Sequence, residues 1–196
     1  MIVVVLSHYP DLFAQFSAAL AEHEPSVRRL LIRDGDLIQG VPSNWDVIDA
    51  PQPFNFARNL NIALRETSPE DVILCGDDVR ISGPFIRSLR IVAHSDPSVG
   101  IACAQLWGQS PFVCGYFPRA VLDDVGEMDE RYTGYGRDDM DFCKRMEALG
   151  YHTQPIEIPV THTGGTSFWR GEVEGKYKMQ EIADLNNRLF DEKWKD

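Results

Sequence analysis

The sequence is short of basic residues and has no long apolar run. Its 196 residues include 19 Lys and Arg against 30 Asp and Glu, which gives a formal net charge of −11. A negative field repels phosphate backbones, so broad binding to nucleic acid is not expected. No apolar stretch approaches the ~20 residues that a transmembrane helix needs. The opening residues lack the basic start and the cleavage site of a signal peptide, which favours a cytoplasmic location.

Cysteine is also sparse, and its spacing excludes common metal and redox motifs. The four cysteines are Cys75, Cys103, Cys114 and Cys143. None belongs to a Cys-x-x-Cys pair, so a zinc site or redox pair of that type is not supported. If 101–106 and 111–116 form a hairpin, Cys103 and Cys114 lie opposite each other and a disulfide is geometrically allowed. The absence of a secretory signal favours free thiols instead.

The first half of the chain alternates strand and helix patterns. Strands are predicted at 2–6, 27–32, 45–48 and 71–75, and helices at 11–24 and 54–66. The run at 2–6 is continuously apolar and mostly β-branched, which is typical of a strand buried on both faces. This alternation predicts an α/β fold with a mostly parallel sheet covered by helices on both faces.

The second half has a mixed pattern. Helices are predicted at 84–93, 138–149 and about 172–190, strands near 99–105 and 111–117, and an extended segment at 152–159. The two strands are close enough along the chain to pair antiparallel. No repeat, low-complexity tract or linker composition divides the sequence, and its length is sufficient for one core. One domain is therefore predicted over residues 1–196.

Polar clusters follow three of the predicted strands. They are Ser7-His8-Tyr9, Asp34-Gly35-Asp36 and Asp77-Asp78. Ligands of open α/β sheets bind beyond the carboxyl ends of the strands, so these clusters are expected to meet in one crevice. Adjacent carboxylates such as Asp77 and Asp78 repel each other unless solvent or a cation intervenes, and hard cations prefer carboxylate oxygens together with substrate phosphates. When the pair is considered alone, a solvated turn is the favoured explanation, because Asp and Gly are common turn residues.

Two later segments add candidate chemistry. Asp138 and Asp139 begin a predicted helix, where the helix dipole favours negative charge, and Asp141 and Arg145 have the spacing of an ion pair on its surface. An ordinary capped helix explains that ion pair well, but it explains Asp139 less well, because a third carboxylate within four residues adds repulsion. A general base needs a carboxylate held at a fixed angle, which the start of a helix supplies. His162 follows an extended segment and precedes Gly164-Gly165, where it is either a hydrogen-bonded surface or core histidine or a metal ligand.

In this order, the segments resemble the family 2 glycosyltransferases of GT-A fold. The family pattern is an aspartate pair after a strand, then iGxfDExf, then gxxEDxDlcxR, then a histidine followed by a serine. The matching segments here are Asp77-Asp78-Val79, 125–132, 134–145, and His162 with Ser167. Residues 54–61 are similar to a helix of that family, and 189–194 to its C-terminal tail. The resemblance covers nearly the whole chain.

The resemblance implies a role for each matching residue. Asp139 would be the catalytic base, and Asp78, His162 and Asp77 would bind Mn²⁺ or Mg²⁺, with Asp78 the more direct ligand. The implied donor-binding residues are Ser7, Asp34, Asp36, Arg58, Asp77 and Asp78. The expected acceptor-side residues are Trp107, Tyr132, Tyr135, Arg137, Asp138 and Trp169. Residues 1–80 would form the donor nucleotide-binding half, 81–170 the catalytic and acceptor half, and 171–196 a C-terminal helix.

The predicted function is metal-dependent, inverting transfer of a sugar from a nucleotide-diphosphate donor to an acceptor hydroxyl. The nucleotide base, the sugar, the acceptor and the oligomeric state are left open. The sequence departs from the family pattern at two places. Asp138 replaces the glutamate that usually precedes the catalytic base. Residues 7–10 are not the commonest ending of the first strand, so the identity of the nucleotide in the donor is left open. A sugar nucleotidyltransferase would need a Gly-rich, basic loop after the first strand, and residues 6–10 offer none. A non-catalytic nucleotide- or glycan-binding protein of the same fold is the other alternative.

Overall fold

The computed structural model describes residues 1–106, 108–164, 170 and 178–195. The predicted residues Trp107, Ser167 and Trp169 lie outside this range. Among the helices described, none is long and apolar enough to cross a membrane.

The first half folds as the alternating pattern predicts. Its elements are β1 (Ile2–Ser7), α1 (Pro10–His23), β2 (Arg28–Arg33), β3 (Asp46–Asp49), α2 (Phe56–Glu66) and β4 (Val72–Gly76). Helix α1 begins at Pro10, whose fixed φ and missing N–H suit the first helical position. The side chain of Asn55 caps α2 by accepting a hydrogen bond of 2.8 Å from the backbone N–H of Arg58.

The second half contains shorter elements. They are β5 (Val79–Ile81), α3 (Ile86–Ala93), β6 (Val99–Ala104), β7 (Cys114–Phe117), α4 (Arg119–Val125), α5 (Asp138–Ala148), β8 (His152–Ile156), β9 (Val160–His162) and α6 (Met179–Lys193). A short 3₁₀ turn at Pro111–Val113 precedes β7. Gly150 follows α5 with φ +88°, which is the left-handed conformation of a helix C-terminal cap.

Seven strands form one sheet in the order β3-β2-β1-β4-β7-β6-β8. Strand β7 runs antiparallel to both of its neighbours, and the other adjacent pairs are parallel. The chain runs from β1 outward to β3 and then returns to place β4 on the other side of β1. The carboxyl ends of β1 and β4 therefore flank the point at which the strand order reverses, where α/β sheets bind their ligands.

Alternate residues of β1 serve two hydrophobic clusters, one on each face of the sheet. Val3 and Val5 belong to the cluster that includes Phe16 and Leu89, from α1 and α3. Ile2 and Val4 belong to the cluster that includes Leu60, Leu122 and Phe142, from α2, α4 and α5. Burial on both faces explains why the sequence of this strand is continuously apolar rather than alternating.

The structure departs from the sequence interpretation in local details. The predictions did not include β5, β9 or α4, and the last helix runs to Lys193 rather than to about residue 190. Strands β6 and β7 do pair antiparallel, but Cys103 faces Gly115, whereas Cys114 faces Cys75 on β4. All four cysteines are free, so the disulfide considered between Cys103 and Cys114 does not form.

Candidate active site

A cavity of about 380 Å³ opens at the carboxyl ends of β1 and β4. One side is lined by residues of these strands and of the turn after β4: Leu6, Gly76, Asp77 and Asp78. The other side is lined by the start of α5, the loop before it and the end of β9: Tyr135, Gly136, Asp138, Asp139 and His162. The predicted catalytic, metal-binding and acceptor segments thus contribute to one space.

Asp77 is fixed by the end of the first strand. The hydroxyl of Ser7 donates a hydrogen bond of 2.6 Å to its Oδ2 atom, and both side chains are buried. Parallel pairing of β1 with β4 brings these two strand ends side by side. The polar clusters after the first and fourth strands therefore meet, as the sequence predicts.

Asp78 and His162 are in direct contact. The Nε2 atom of His162 lies 3.0 Å from Oδ1 of Asp78, although the two residues are 84 positions apart in the sequence. The pairing of β5 with β9 causes this approach, because it places Val79 directly opposite His162. Thr163 adds a hydrogen bond of 3.0 Å from its hydroxyl to the backbone carbonyl of Asp78. Two three-residue strands thus build the pair, and the sequence patterns gave no sign of either strand.

Asp138 and Asp139 bring two further carboxyl groups to the cavity from the first turn of α5. Asp138 is 3% exposed, and its Oδ1 atom accepts a hydrogen bond of 3.1 Å from the N–H of Gly136. Burial raises the pKa of Asp138 to about 7, the negative charge of Asp139 adds to the rise, and backbone N–H groups oppose it. Asp139 is half-buried, which leaves its carboxylate access to a bound molecule.

The lining of the cavity is acidic. The described lining residues include four carboxyl groups and no Lys or Arg. An anionic diphosphate would be repelled there unless a cation offset the charge. The donor set, in which an imidazole contacts one of several carboxylates, fits Mn²⁺ better than Mg²⁺, which binds oxygen ligands almost exclusively. Within the described residues, no three His, Cys, Asp or Glu side chains are already grouped to hold a metal.

The cluster after the second strand is not among the residues that line the cavity. Asp34 is 2% exposed; Gln52 donates a hydrogen bond of 2.6 Å to its Oδ1 atom, and the His8 ring contacts its backbone carbonyl. Asp36 is exposed. Arg58 donates to the backbone carbonyls of Pro51 and Pro53, the second at 2.6 Å. The structure therefore does not bring Asp34, Asp36 or Arg58 to the carboxylates of the cavity. Sequence reasoning did not identify His8 and Gln52 as partners of Asp34.

The residues predicted for the acceptor side have different environments. Tyr135 lines the cavity, and its ring packs at 4.6 Å from that of Phe54 and 6.0 Å from that of Phe56. The side chain of Arg137 turns away toward α6. Tyr132 is 1% exposed and lies beneath the surface, with its hydroxyl 3.5 Å from Asp141.

The ion pair predicted for α5 is present but is not on the surface. Arg145 Nε donates to Oδ2 of Asp141 at 3.0 Å, and Asp141 is fully buried. Lys193 and the Trp194 indole also donate to Asp141, at 2.7 and 3.0 Å. The C-terminal residues therefore satisfy a buried carboxylate, which a surface i,i+4 pattern does not predict.

Comparison with solved structures shows the fold. A mannosyltransferase from Pyrobaculum calidifontis, in complex with GDP-Man and Mn²⁺, superposes with a TM-score of 0.64 at 15% identity over 80% of this chain and 54% of its own. GalNAc-T7 with UDP, GalNAc and Mn²⁺ gives 0.66 at 9% identity over 82% of this chain and 43% of its own. Glucosyl-3-phosphoglycerate synthase from Mycobacterium tuberculosis, with Mn²⁺, UDP and phosphoglyceric acid, gives 0.62 at 13% identity over 83% and 70%.

These similarities show that the chain has the GT-A fold of glycosyltransferases, as the sequence resemblance implies. The chain spans about half the length of the first two of these proteins. No protein-family model matches the sequence, and no curated protein matches it.

Proposed function

We propose that this chain is a metal-dependent glycosyltransferase that moves a sugar from a nucleotide-diphosphate donor to an acceptor hydroxyl. The observation that carries the proposal is the contact between Asp78 and His162 on the wall of a cavity that Asp139 also lines. The metal-bound, nucleotide-containing complexes among the structurally similar proteins support the same class of chemistry.

The metal would be held by Asp78 and His162, with Asp77 beside them. When bound, Mn²⁺ would act as a Lewis acid that neutralises charge on the leaving diphosphate. Ser7 keeps Asp77 in place, since its hydroxyl occupies Oδ2 of that carboxylate. The acidic cavity thus gains the positive charge that an anionic donor requires.

Asp139 would act as the general base. Its carboxylate is held at the start of a helix, where the backbone N–H of Met140 donates to Oδ1 at 2.8 Å. The carboxylate accepts the proton of the acceptor hydroxyl as that oxygen attacks the anomeric carbon. Direct attack on the face opposite the leaving group inverts the configuration at that carbon. Asp138 is less suited to this role because it is nearly inaccessible and is already hydrogen-bonded to Gly136.

The two halves of the chain would divide this work within the single domain proposed for 1–196. Residues 1–80 would bind the donor nucleotide, with Ser7, Asp34, Asp36 and Arg58 on that side. Residues 81–170 would supply the base and the acceptor side, where Tyr135 and Asp138 are among the residues that line the cavity. Residues 171–196 would form the C-terminal helix. A cytoplasmic location remains a prediction from the sequence.

The test is a donor-hydrolysis and transfer assay. UDP-, GDP- and TDP-sugars are incubated with the protein in Mn²⁺, in Mg²⁺ and in EDTA, and nucleotide release is measured. We expect release with one class of donor, faster in Mn²⁺ than in Mg²⁺ and abolished by EDTA. Thermal shift with each nucleoside diphosphate and Mn²⁺ provides a reading that does not depend on turnover.

Two outcomes would contradict the proposal. Nucleotide-dependent thermal shifts without release from any donor would favour the alternative of a non-catalytic binding protein. The absence of both release and shift would refute donor binding altogether. A nucleotidyltransferase would instead release pyrophosphate from a nucleoside triphosphate and a sugar phosphate; the tight connection from Ser7 to Pro10, the first residue of α1, argues against that reaction.

A further inference from the structure

A buried amide on the C-terminal helix holds the loop that leads into α5. Asn186, on α6, is 0% exposed. Its Nδ2 atom lies within 2.9 to 3.0 Å of the backbone carbonyls of Thr133, Tyr135 and Gly136. Its Oδ1 atom accepts a hydrogen bond of 3.1 Å from the N–H of Thr133. One side chain, with two N–H donors and one carbonyl oxygen, thus contacts four backbone groups of a loop that lies about 50 residues earlier in the sequence.

The loop needs such support because its backbone is unusual. Gly134, Gly136 and Arg137 have φ of +59°, +101° and +70°. For Arg137 the left-handed conformation costs about 1–2 kcal/mol, and it persists only where surrounding contacts impose it. Arg137 Nε donates to Oδ1 of Asn187 at 2.6 Å, and its guanidinium lies 5.3 Å from the ring centre of Phe190. Helix α6 therefore fixes both the main chain and the last side chain of the loop.

The loop in turn sets the position of the carboxylates. Gly136, whose carbonyl contacts Asn186, donates its N–H to Asp138 at 3.1 Å. Asp139 is the next residue, in the first turn of α5. The main-chain path from the Asn186 amide to the first turn of α5 is therefore only two or three residues long.

We propose that Asn186 is the positioning residue of the active site, which acts through the loop 133–137 to orient Asp138 and Asp139. The inference rests on the proposed function, because it assigns Asn186 a role in the step that Asp139 performs. Asn186 itself does not line the cavity. It acts on kcat rather than on donor binding, since Asp77, Asp78 and His162 belong to segments that it does not contact.

Asn61 provides a matched control. It is also a fully buried asparagine on a helix. Its Nδ2 atom donates to the carbonyl of Met128 at 3.0 Å and to Oε1 of Glu130 at 2.9 Å, and its Oδ1 atom accepts from the N–H of Met128 at 2.8 Å. The segment around Met128 does not line the cavity. Asn61→Ala therefore removes comparable buried hydrogen bonds without touching the loop before Asp138.

The experiment compares Asn186→Ala with Asn61→Ala and the wild-type protein. Kinetics use the nucleotide sugar that the wild-type protein hydrolyses in Mn²⁺, well below the melting temperature of both variants. We expect Asn186→Ala to lower kcat by about 10- to 100-fold, the penalty typical of a displaced catalytic group, with the donor KM within about twofold of wild type. Asn61→Ala should retain kcat and KM. An equal loss of kcat in both variants, or a donor KM that rises as kcat falls, would overturn the proposal.

Hydrogen exchange gives a second reading that does not require turnover. In Asn186→Ala, amides of 133–141 should exchange at least about tenfold faster than in Asn61→Ala, whereas amides of 72–81 should be equal in the two variants. Equal exchange at 133–141 in both variants would refute the positioning role, even if transfer is observed. If the wild-type protein releases no nucleotide from any donor, the proposed function fails while the exchange result still decides whether Asn186 holds the loop.

Discussion

Replacing Asp138 by asparagine should change how the stability of the protein depends on pH. The pKa of Asp138 is raised from 3.8 to about 7, mainly by burial. In the folded protein the carboxyl group therefore keeps a proton that the unfolded chain releases above about pH 4. Because the folded state binds more protons in this window, its stability falls as pH rises from about 4 to about 7.

The magnitude follows from the same values. At about 1.36 kcal/mol per pH unit, a rise from 3.8 to about 7 corresponds to about 4 kcal/mol of stability lost by the wild-type protein across this window. The amide side chain that replaces the carboxyl group in the variant has no proton to lose. The free energy of unfolding of Asp138→Asn minus that of wild type should therefore increase by about 4 kcal/mol between about pH 4 and pH 8. This change does not depend on the size of the difference at pH 4.

The assay is urea unfolding of both proteins in EDTA at steps between about pH 4 and pH 8. Asp71→Asn is a control of opposite sign. Burial raises the pKa of Asp71, but hydrogen bonds from Tyr116, the Arg119 N–H and His94 together lower it by more than burial raises it. The pKa of Asp71 therefore lies below its ordinary value. Additional steps below about pH 4 test this control: wild type should gain stability over Asp71→Asn as pH rises to about 4, and the difference between the two should be constant from about pH 4 to pH 8. A constant difference, within about 1 kcal/mol, between wild type and Asp138→Asn across the window would show that Asp138 is not buried as described.

Three further predictions concern the base, the metal and the packing. Asp139→Asn should lower kcat by about 10²- to 10⁴-fold, and calorimetry should find donor affinity in Mn²⁺ unchanged; an equal loss of affinity would contradict the role of base. Asp78→Ala should remove Mn²⁺-dependent nucleotide binding in a calorimetric titration, whereas Asp71→Ala, at the other end of β4, should retain it. Gly115→Ala should cost about 2 kcal/mol in urea unfolding, because the added methyl carbon would lie 2.5 Å from the backbone carbonyl of Pro111; an unchanged midpoint would show that the strand can shift.

The sequence predicted most of the scaffold. Long segments carry strong periodic signals: the apolar run of β1, the helical spacing of α1 and α2, and the carboxylates that begin α5 were located within about two residues. The meeting of Ser7 with Asp77 also followed, because neighbouring parallel strands must end at the same edge of a sheet. The GT-A fold implied by the sequence resemblance is confirmed by the solved structures.

Predictions failed where a short segment or a side-chain partner decided the result. Strands β5 and β9 have three residues each, too few to show a period. The hairpin register was misjudged by one residue: Cys103 faces Gly115 on β7, and Cys114 faces Cys75 on β4. The depth of Asp141 was misjudged because its additional partners, Lys193 and Trp194, come from the end of the chain.

By itself, the sequence determined the order of the longer strands and helices and the residue types that stand at their ends, because periodicity, caps and turns are local properties of the chain. Only the tertiary structure decided that His162 reaches Asp78 and that Asn186 holds the loop before Asp138. These contacts join residues 50 or more positions apart, and their formation depends on how whole elements pack around the sheet, which no local pattern encodes.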